Sequence, residues 1–429
     1  RVGSRQATYD IWTVRDVPPI QGEVAMQPVV DLASRIRVWQ GERKRPWSEL
    51  GEVYHKWLTF YGRVPDKAKE LAAEVIAGIE QPQDRARAIH DWVKKNLNIQ
   101  DHDQLSYVPR QVEIDTIDLA KLVKEKNATP EQAAGLMWAM MSAAGVEASL
   151  VLTTSKFDPP AEEGLPDLYQ FSYPLLGLAD GTLIDTTSRF CPFGQLPYWF
   201  EGRKSLWVKG STVAFKNLPQ TPPAANLSKL IIRGNLDPEG NAQVEVTREL
   251  SGQLALGMRR FVGPMNEKDR EKTLIQWVTR AADKAELGEF AVVDMDKPDK
   301  PLKLVYQFKV PSYAQVMQDK QLVKLGAFVH LTRCPELLNE KRNNKVWFAH
   351  KWQEEMDIQI AMPPGFSLEA LPKGFRTRQI DQGTAMGVRT SYGSPNGKAL
   401  HAVRKLSVNE TLVDAGKGYA NLRTLIQRY

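Results

Sequence analysis

The 429-residue sequence predicts an α+β protein, a core of helices packed on an antiparallel sheet followed by a mainly antiparallel β-domain. Three observations lead there. Helical periodicity dominates residues 67–144. Period-two alternation punctuated by turn residues dominates from 148 onward. A Pro-rich stretch, Leu218-Pro219-Gln220-Thr221-Pro222-Pro223, separates two such regimes.

The elements follow in order. Residues 1–40 alternate apolar and polar, as in Tyr9-Asp10-Ile11-Trp12-Thr13-Val14 and Ser34-Arg35-Ile36-Arg37-Val38-Trp39, cut by Pro18-Pro19 and Pro28. That period predicts strands, read as the end of a β-domain whose earlier part lies upstream of Arg1. The aromatic-rich stretch 47–61 predicts a short helix. Two amphipathic helices follow over 67–79 and 84–97, the second burying Ile89, Trp92, Val93 and Leu97. His90 falls off that stripe, so a solvated histidine is expected. A further amphipathic helix is expected over 117–126. Residues 130–144 are apolar on nearly every side, the pattern of a buried central helix, and Gly145 stands where a left-handed C-terminal residue belongs. Strands are expected at 148–153, 171–178 and 182–186, the last two joined by a hairpin turn at Asp180-Gly181.

Beyond residue 218 the expected strands are 229–236, 243–250, 303–308, 345–348, 356–361 and 399–408, with helices over 267–284 and 417–427. The division is then 1–60, a remnant of an N-terminal β-domain with a connecting helix; 61–217, the core; and 218–429, a C-terminal α+β domain.

Composition narrows the function classes. The net charge of +6 is small for this length. The basic runs Glu42-Arg43-Lys44-Arg45 and Lys341-Arg342-Asn343-Asn344-Lys345 are short and read as solvated loops, so no nucleic-acid partner is expected. Two cysteines exclude a disulfide framework and a Cys-rich zinc site, and the six histidines form no H-E-x-x-H pattern, so no metal and no cofactor are expected. No apolar run is long enough to span a bilayer.

Several motifs carry a family resemblance. Trp92-Val93-Lys94-Lys95-Asn96-Leu97 ends one helix. Ala133-Ala134-Gly135-Leu136 and Ala143-Ala144-Gly145-Val146-Glu147-Ala148 bracket the central helix. Downstream stand Phe171-Ser172-Tyr173, then Ile184-Asp185-Thr186-Thr187-Ser188, then Pro192-Phe193-Gly194-Gln195-Leu196-Pro197. Together they resemble the bacterial transglutaminase-like superfamily, whose core is papain-like. Met362-Pro363-Pro364-Gly365-Phe366 and Leu371-Pro372 extend the resemblance into the uncharacterised domain that often follows such cores.

The resemblance implies a Cys–His–Asp site and an extracytoplasmic, periplasmic setting. It also implies that the chemistry is lost. Counted back from Gly145, the cysteine position is Pro130. The histidine position is Tyr173, and no histidine lies between His102 and His330. Asp185 remains. Thr129-Pro130-Glu131-Gln132 is instead a helix start with a capping box. Cys191 and Cys334 read as small buried apolar residues. The expected function is non-catalytic, a protein of the bacterial envelope that binds a peptide, a glycan or a partner protein. The expected cleft is lined by Tyr173, Asp185, Trp138, Trp199 and Trp207. A cysteine peptidase, amidase or protein-glutamine acyltransferase using another residue, or a structural spacer, are the alternatives.

Overall fold

The structure, a computed structural model, describes residues 12–36, 46–61, 66–99, 119–167, 170–324, 339–378, 386–394 and 397–428. The Glu42–Arg45 run, Cys334, His102 and His330 lie outside them.

The core follows from two surfaces that need each other. One is a set of helices: after the short α1 (Val29–Leu32) come α2 (Trp47–Tyr61), α3 (Asp66–Val75) and α4 (Pro82–Asn96). A two-residue strand β1 (Asn98–Ile99) pairs in parallel with β2 (Asn127–Ala128), and α5 (Leu119–Glu125) and α6 (Pro130–Ala143) complete the set. Pro82 opens α4, with Asp84 in its first turn and Lys94 and Lys95 in its last, the charge order the helix dipole favours. On α6 the expected capping box is complete. The Thr129 hydroxyl accepts from Gln132 N, and Gln132 Oε1 accepts from Thr129 N at 2.9 Å.

The other surface is an antiparallel sheet with order β5-β4-β3-β6-β7: β3 (Ala148–Thr153), β4 (Tyr173–Leu178), β5 (Leu183–Ile184), β6 (Lys204–Lys209) and β7 (Thr212–Asn217). Strand residues alternate between its faces. Leu176, Leu178 and Ile184 join α3, α4 and α6 in one cluster around the fully buried Leu136, Met137 and Met140. Leu150, Leu152, Leu206 and Val208 pack under α2 through Trp57 and Leu58. The other face carries Val151, Tyr173, Leu175 and Leu183 and is covered by Leu196, Trp199, Phe200 and Leu218.

The C-terminal domain is an eight-stranded sheet with order β10-β11-β9-β8-β15-β18-β17-β16. In chain order these are β8 (Leu227–Leu236), β9 (Ala242–Leu250), β10 (Glu286–Val293), β11 (Leu302–Val310), β15 (Trp352–Ala361), β16 (Phe375–Arg378), β17 (Met386–Gly393) and β18 (Ala399–Val408). Every pair is antiparallel except β8 with β15. Small paired strands β12 (Gln315–Met317), β13 (Lys320–Leu322), β14 (Val346–Trp347) and β19 (Leu412–Val413) edge the domain. The helices α7 (Gly252–Val262) and α8 (Glu267–Ala281) follow β9. Leu274 and Val278 of α8 seal one half of the apolar face, and Tyr419, Leu422 and Leu425 of α9 (Lys417–Arg428) seal the other.

One expectation is corrected and another is qualified. Residues 12–36 form no ladder. They contribute α1 and a single bridge, Met26 to Val346, with Trp347 N donating to Ala25 O at 2.7 Å. Alternation alone does not make a strand when no long partner edge is offered. The run Lys341–Lys345 is a loop with Lys341, Asn343 and Lys345 exposed, as expected, but Arg342 turns inward. The Arg342 side chain is 4% exposed, donates to Val24 O at 2.6 Å and lies over the Tyr419 ring, while Asn343 N and Asn344 N donate to the Glu23 carboxylate. These polar groups tie the N-terminal segment to the C-terminal domain.

The central helix yields a graded stability test by chemical denaturation. Thr129→Ala is expected to cost about 1 kcal/mol through loss of the cap. Leu136→Ala, in the middle of the same buried helix, is expected to cost about 2–5 kcal/mol.

Candidate functional site

Asp185 leaves the end of β5 and turns its carboxylate into the protein, where it is fully buried. An isolated carboxylate there would be costly, and each oxygen is satisfied. Oδ1 accepts from Thr187 N at 3.0 Å and from Thr187 Oγ1 at 2.7 Å. Oδ2 accepts from Ser188 N at 2.9 Å and from Lys94 Nζ at 3.2 Å. Lys94 is 4% exposed and also donates to Ser188 O at 2.5 Å. A buried ion pair therefore joins the last turn of α4 to the loop that follows β5.

His90 lies one turn earlier on α4. It is fully buried rather than solvated, which corrects the expectation. The ring packs edge-on against Phe193, with centroids 5.7 Å apart, and Phe193 is itself overlaid by the Arg87 guanidinium. His90 Nδ1 lies 2.7 Å from Asp91 Oδ1, which favours the proton on Nδ1. Burial lowers the ring's pKa, with the Lys94 charge acting the same way and the Asp91 hydrogen bond opposing both. The helical stripe missed His90 because loop 185–195 folds over the flank of α4 beside that stripe. The i, i+4 spacing of His90 and Lys94 was the available signal.

Cys191 sits in that loop, fully buried, as expected. Its thiol donates to Gln195 O at 3.1 Å, and its backbone N–H donates to Ser188 O. Burial drives the thiol pKa well above its usual range, and the nearby Asp185 carboxylate adds to the rise. Cys191 begins no helix, so no helix dipole offsets that rise.

The other expected site residues are placed as follows. Pro130 is buried at the first position of α6. Tyr173 is 7% exposed and stacks near Phe200, with ring centres 5.1 Å apart, on the sheet face away from α6. Trp199 is buried on that same face beneath the Arg260 guanidinium, 4.6 Å from the ring centre. Trp207 is half-buried, laid against Gly177, where any side chain would meet the indole, and capped by Lys216 at 4.3 Å. Trp138 lies on the helix side of the sheet and donates from Nε1 to Ala148 O at 3.0 Å. Tyr173, Trp199 and Trp207 thus share one packed face. Trp138 and Asp185 belong to the other side.

With the helix start, the two antiparallel strands and the carboxylate defined, the class of the core follows. Residues 69–161 match the core of the transglutaminase-like superfamily. The fold is also found in a crystal structure of a candidate protease from Parabacteroides distasonis ATCC 8503, with a TM-score of 0.52 at 12% identity over 92% of this chain. The chain spans 61% of that protein's length. No curated protein matches it. Among the described residues, no group of three or more His, Cys, Asp or Glu side chains could hold a metal ion, and no helix is long and apolar enough to cross a membrane.

Two measurements check this site. Lys94→Met is expected to cost about 3–5 kcal/mol because it strands a buried carboxylate. Lys94→Met with Asp185→Leu is expected to cost less than the sum of the two single changes in a double-mutant cycle. For His90 the folded pKa lies below the unfolded value of about 6.5, so its contribution is intact above that pH and is lost as the pH falls below it. The urea midpoint of the protein is expected to fall on acidification from pH 7 to pH 5, and to fall less in His90→Gln.

Proposed function

We propose that this chain is a non-catalytic transglutaminase-like protein of the bacterial envelope that acts by binding a peptide, a glycan or a partner protein. The observation that carries the reading is the partner of Asp185. Where acyl transfer needs an imidazole oriented by the carboxylate, the carboxylate faces the Lys94 ammonium, which cannot act as its relay to a thiol. Pro130 at the start of α6 supplies no nucleophile, and the Cys191 thiol is sealed and held protonated. The extracytoplasmic setting rests on the family resemblance of the core and its flanking segments.

Binding fits the half-buried aromatic surface at the helix-side edge of the core. There Trp47, Phe171 and Phe215 form a cluster with ring centres 5.1–6.4 Å apart. Trp47 Nε1 donates to Glu163 O, and Lys204 pairs with Glu163 at 2.7 Å beside the rings. Rings with a polar rim suit sugars and extended peptides. A structural spacer is the second reading, favoured by the closed packing of Tyr173, Trp199 and Phe200.

The deciding experiment pairs turnover with binding. The protein is expected to show no hydrolysis or crosslinking of peptide substrates, and Cys191→Ser with Cys334→Ser is expected to leave its fold and ligand binding unchanged. Turnover that disappears in the double variant would restore the enzyme reading. Retained titration of tryptophan fluorescence by peptide or glycan libraries, lost in Trp47→Ala, separates binder from spacer.

A further inference from the structure

The core and the C-terminal domain meet along a seam in which the core segment 196–201 is gripped from two sides. From α7, the Gln253 side chain reaches it three times. Nε2 donates to Leu196 O at 2.6 Å and to Glu201 Oε1 at 3.0 Å, and Oε1 accepts from Tyr198 N at 2.9 Å. From the segment before β15, the His350 ring lies 5.9 Å from the Tyr198 ring, and Ala349 O accepts from Lys156 Nζ at 3.1 Å. The Lys156 ammonium is itself 6.0 Å from the Tyr198 ring centre. One tyrosine ring is therefore touched by an ammonium of the core and an imidazole of the C-terminal domain. Beside them Phe157 meets Trp347 edge-on at 6.1 Å.

We propose that Lys156, Tyr198 and His350 form an acid-operated latch between the core and the C-terminal domain, closed while the His350 ring is neutral and loosened when it takes a proton. The closed packing of the ring and the charges around it decide this. Lys156 faces it across Tyr198, and Lys351 offers only its carbonyl, 3.2 Å from His350 Nδ1. Of the carboxylates on the packed elements, Glu201 is engaged by Thr221 Oγ1 and Gln253 Nε2, and Asp31 lies 3.9 Å from Arg203. Asp158 accepts from Ser155. None of these pairs with His350, so a proton on its ring adds a second cation at the Tyr198 contact without a counter-charge.

The direction of the pH effect follows. Burial lowers the His350 pKa to about 4, with the Lys351 carbonyl contact opposing and the Lys156 charge assisting. A solvated histidine titrates near ~6.5, so opening takes up a proton and grows as the pH falls from about 6.5 towards about 4. Burial also lowers the Lys156 pKa, to about 8, so the amine is still charged throughout that window. Glu201 works the other way, because burial raises its pKa and its protonation relieves its own desolvation. Two of the three Gln253 contacts are to backbone groups and do not titrate, so loosening is expected on the His350 side.

Hydroxyl-radical footprinting of the whole chain between pH 7.5 and pH 4.5 tests the latch, with the exposed Phe261 as internal reference. Oxidation of Tyr198 and Trp347 is expected to rise severalfold below pH 6.5 while Trp199, under α7, stays protected. The rise should vanish in His350→Gln. A flat Tyr198 profile in the wild type, or an equal rise in His350→Gln, overturns the proposal. Should that variant fail to fold, Lys156→Met carries the test. Removing the second cation takes away the repulsion but not the burial, so the rise is expected to shrink without vanishing. An undiminished rise overturns the latch.

Discussion

The buried pair between Lys94 and Asp185 is the constraint on which the rest of the core depends. A carboxylate at the end of β5 with no exposure must be neutralised and hydrogen-bonded, or it would not be tolerated there. Satisfying it takes the last turn of α4, two backbone or side-chain donors from Thr187 and one from Ser188. That set fixes the course of the loop after β5. The loop then brings Phe193 onto His90 and places Cys191 under cover. A single ionic contact thus sets the relation of helix, strand and loop across 91 residues of sequence.

Much of the fold was legible because its signals are local. The capping box at Thr129 and Gln132, the apolar circumference of residues 133–141 and the Asp180-Gly181 turn each decide a structure within four or five residues. The expected β-domain strands lie within a few residues of observed ones, yet α7, β10, β16, β17 and the short β12, β13 and β19 were missed, as were β6 and β7 of the core. Gly252 opens α7 with a positive φ of 57°, against a backbone that leaves no room for a Cβ, and its periodic stripe was hidden by the Gly and Arg around it. Strand β10 carries a register shift between Leu287 and Phe290, which broke the alternation.

The candidate site was legible at Pro130, Asp185 and Cys191, and illegible at His90 and Lys94. A helix that packs on two sides has two faces to satisfy, and only the apolar one appears as a stripe. The second face of α4 is polar because its partner is a polar loop, and nothing local says that a loop 91 residues away will arrive. The same reasoning covers Arg342 and Gln253. Each is a polar side chain whose burial is decided by distant backbone groups: Val24 O for the first, Leu196 O and Tyr198 N for the second. Arg259 is the strongest instance, 1% exposed and donating to five carbonyls between Asp294 and Lys300.

The start of α6 and the loop after β5 share one physical feature: their polar groups are committed within the fold. A nucleophilic thiol at a helix start draws on unsatisfied N–H groups and the dipole behind them. In α6 that resource is committed to the helix itself: Pro130 has no N–H to offer, and Gln132 N is bound to the Thr129 hydroxyl. The Asp185 carboxylate is paired with the Lys94 ammonium, and the loop carrying Cys191 is held by the same ammonium. A reactive site requires polar groups held short of satisfaction and within reach of water. Here Gln132 N at the helix start and both Asp185 oxygens are satisfied from within the chain, which makes them part of the core that holds α4, β5 and the loop together.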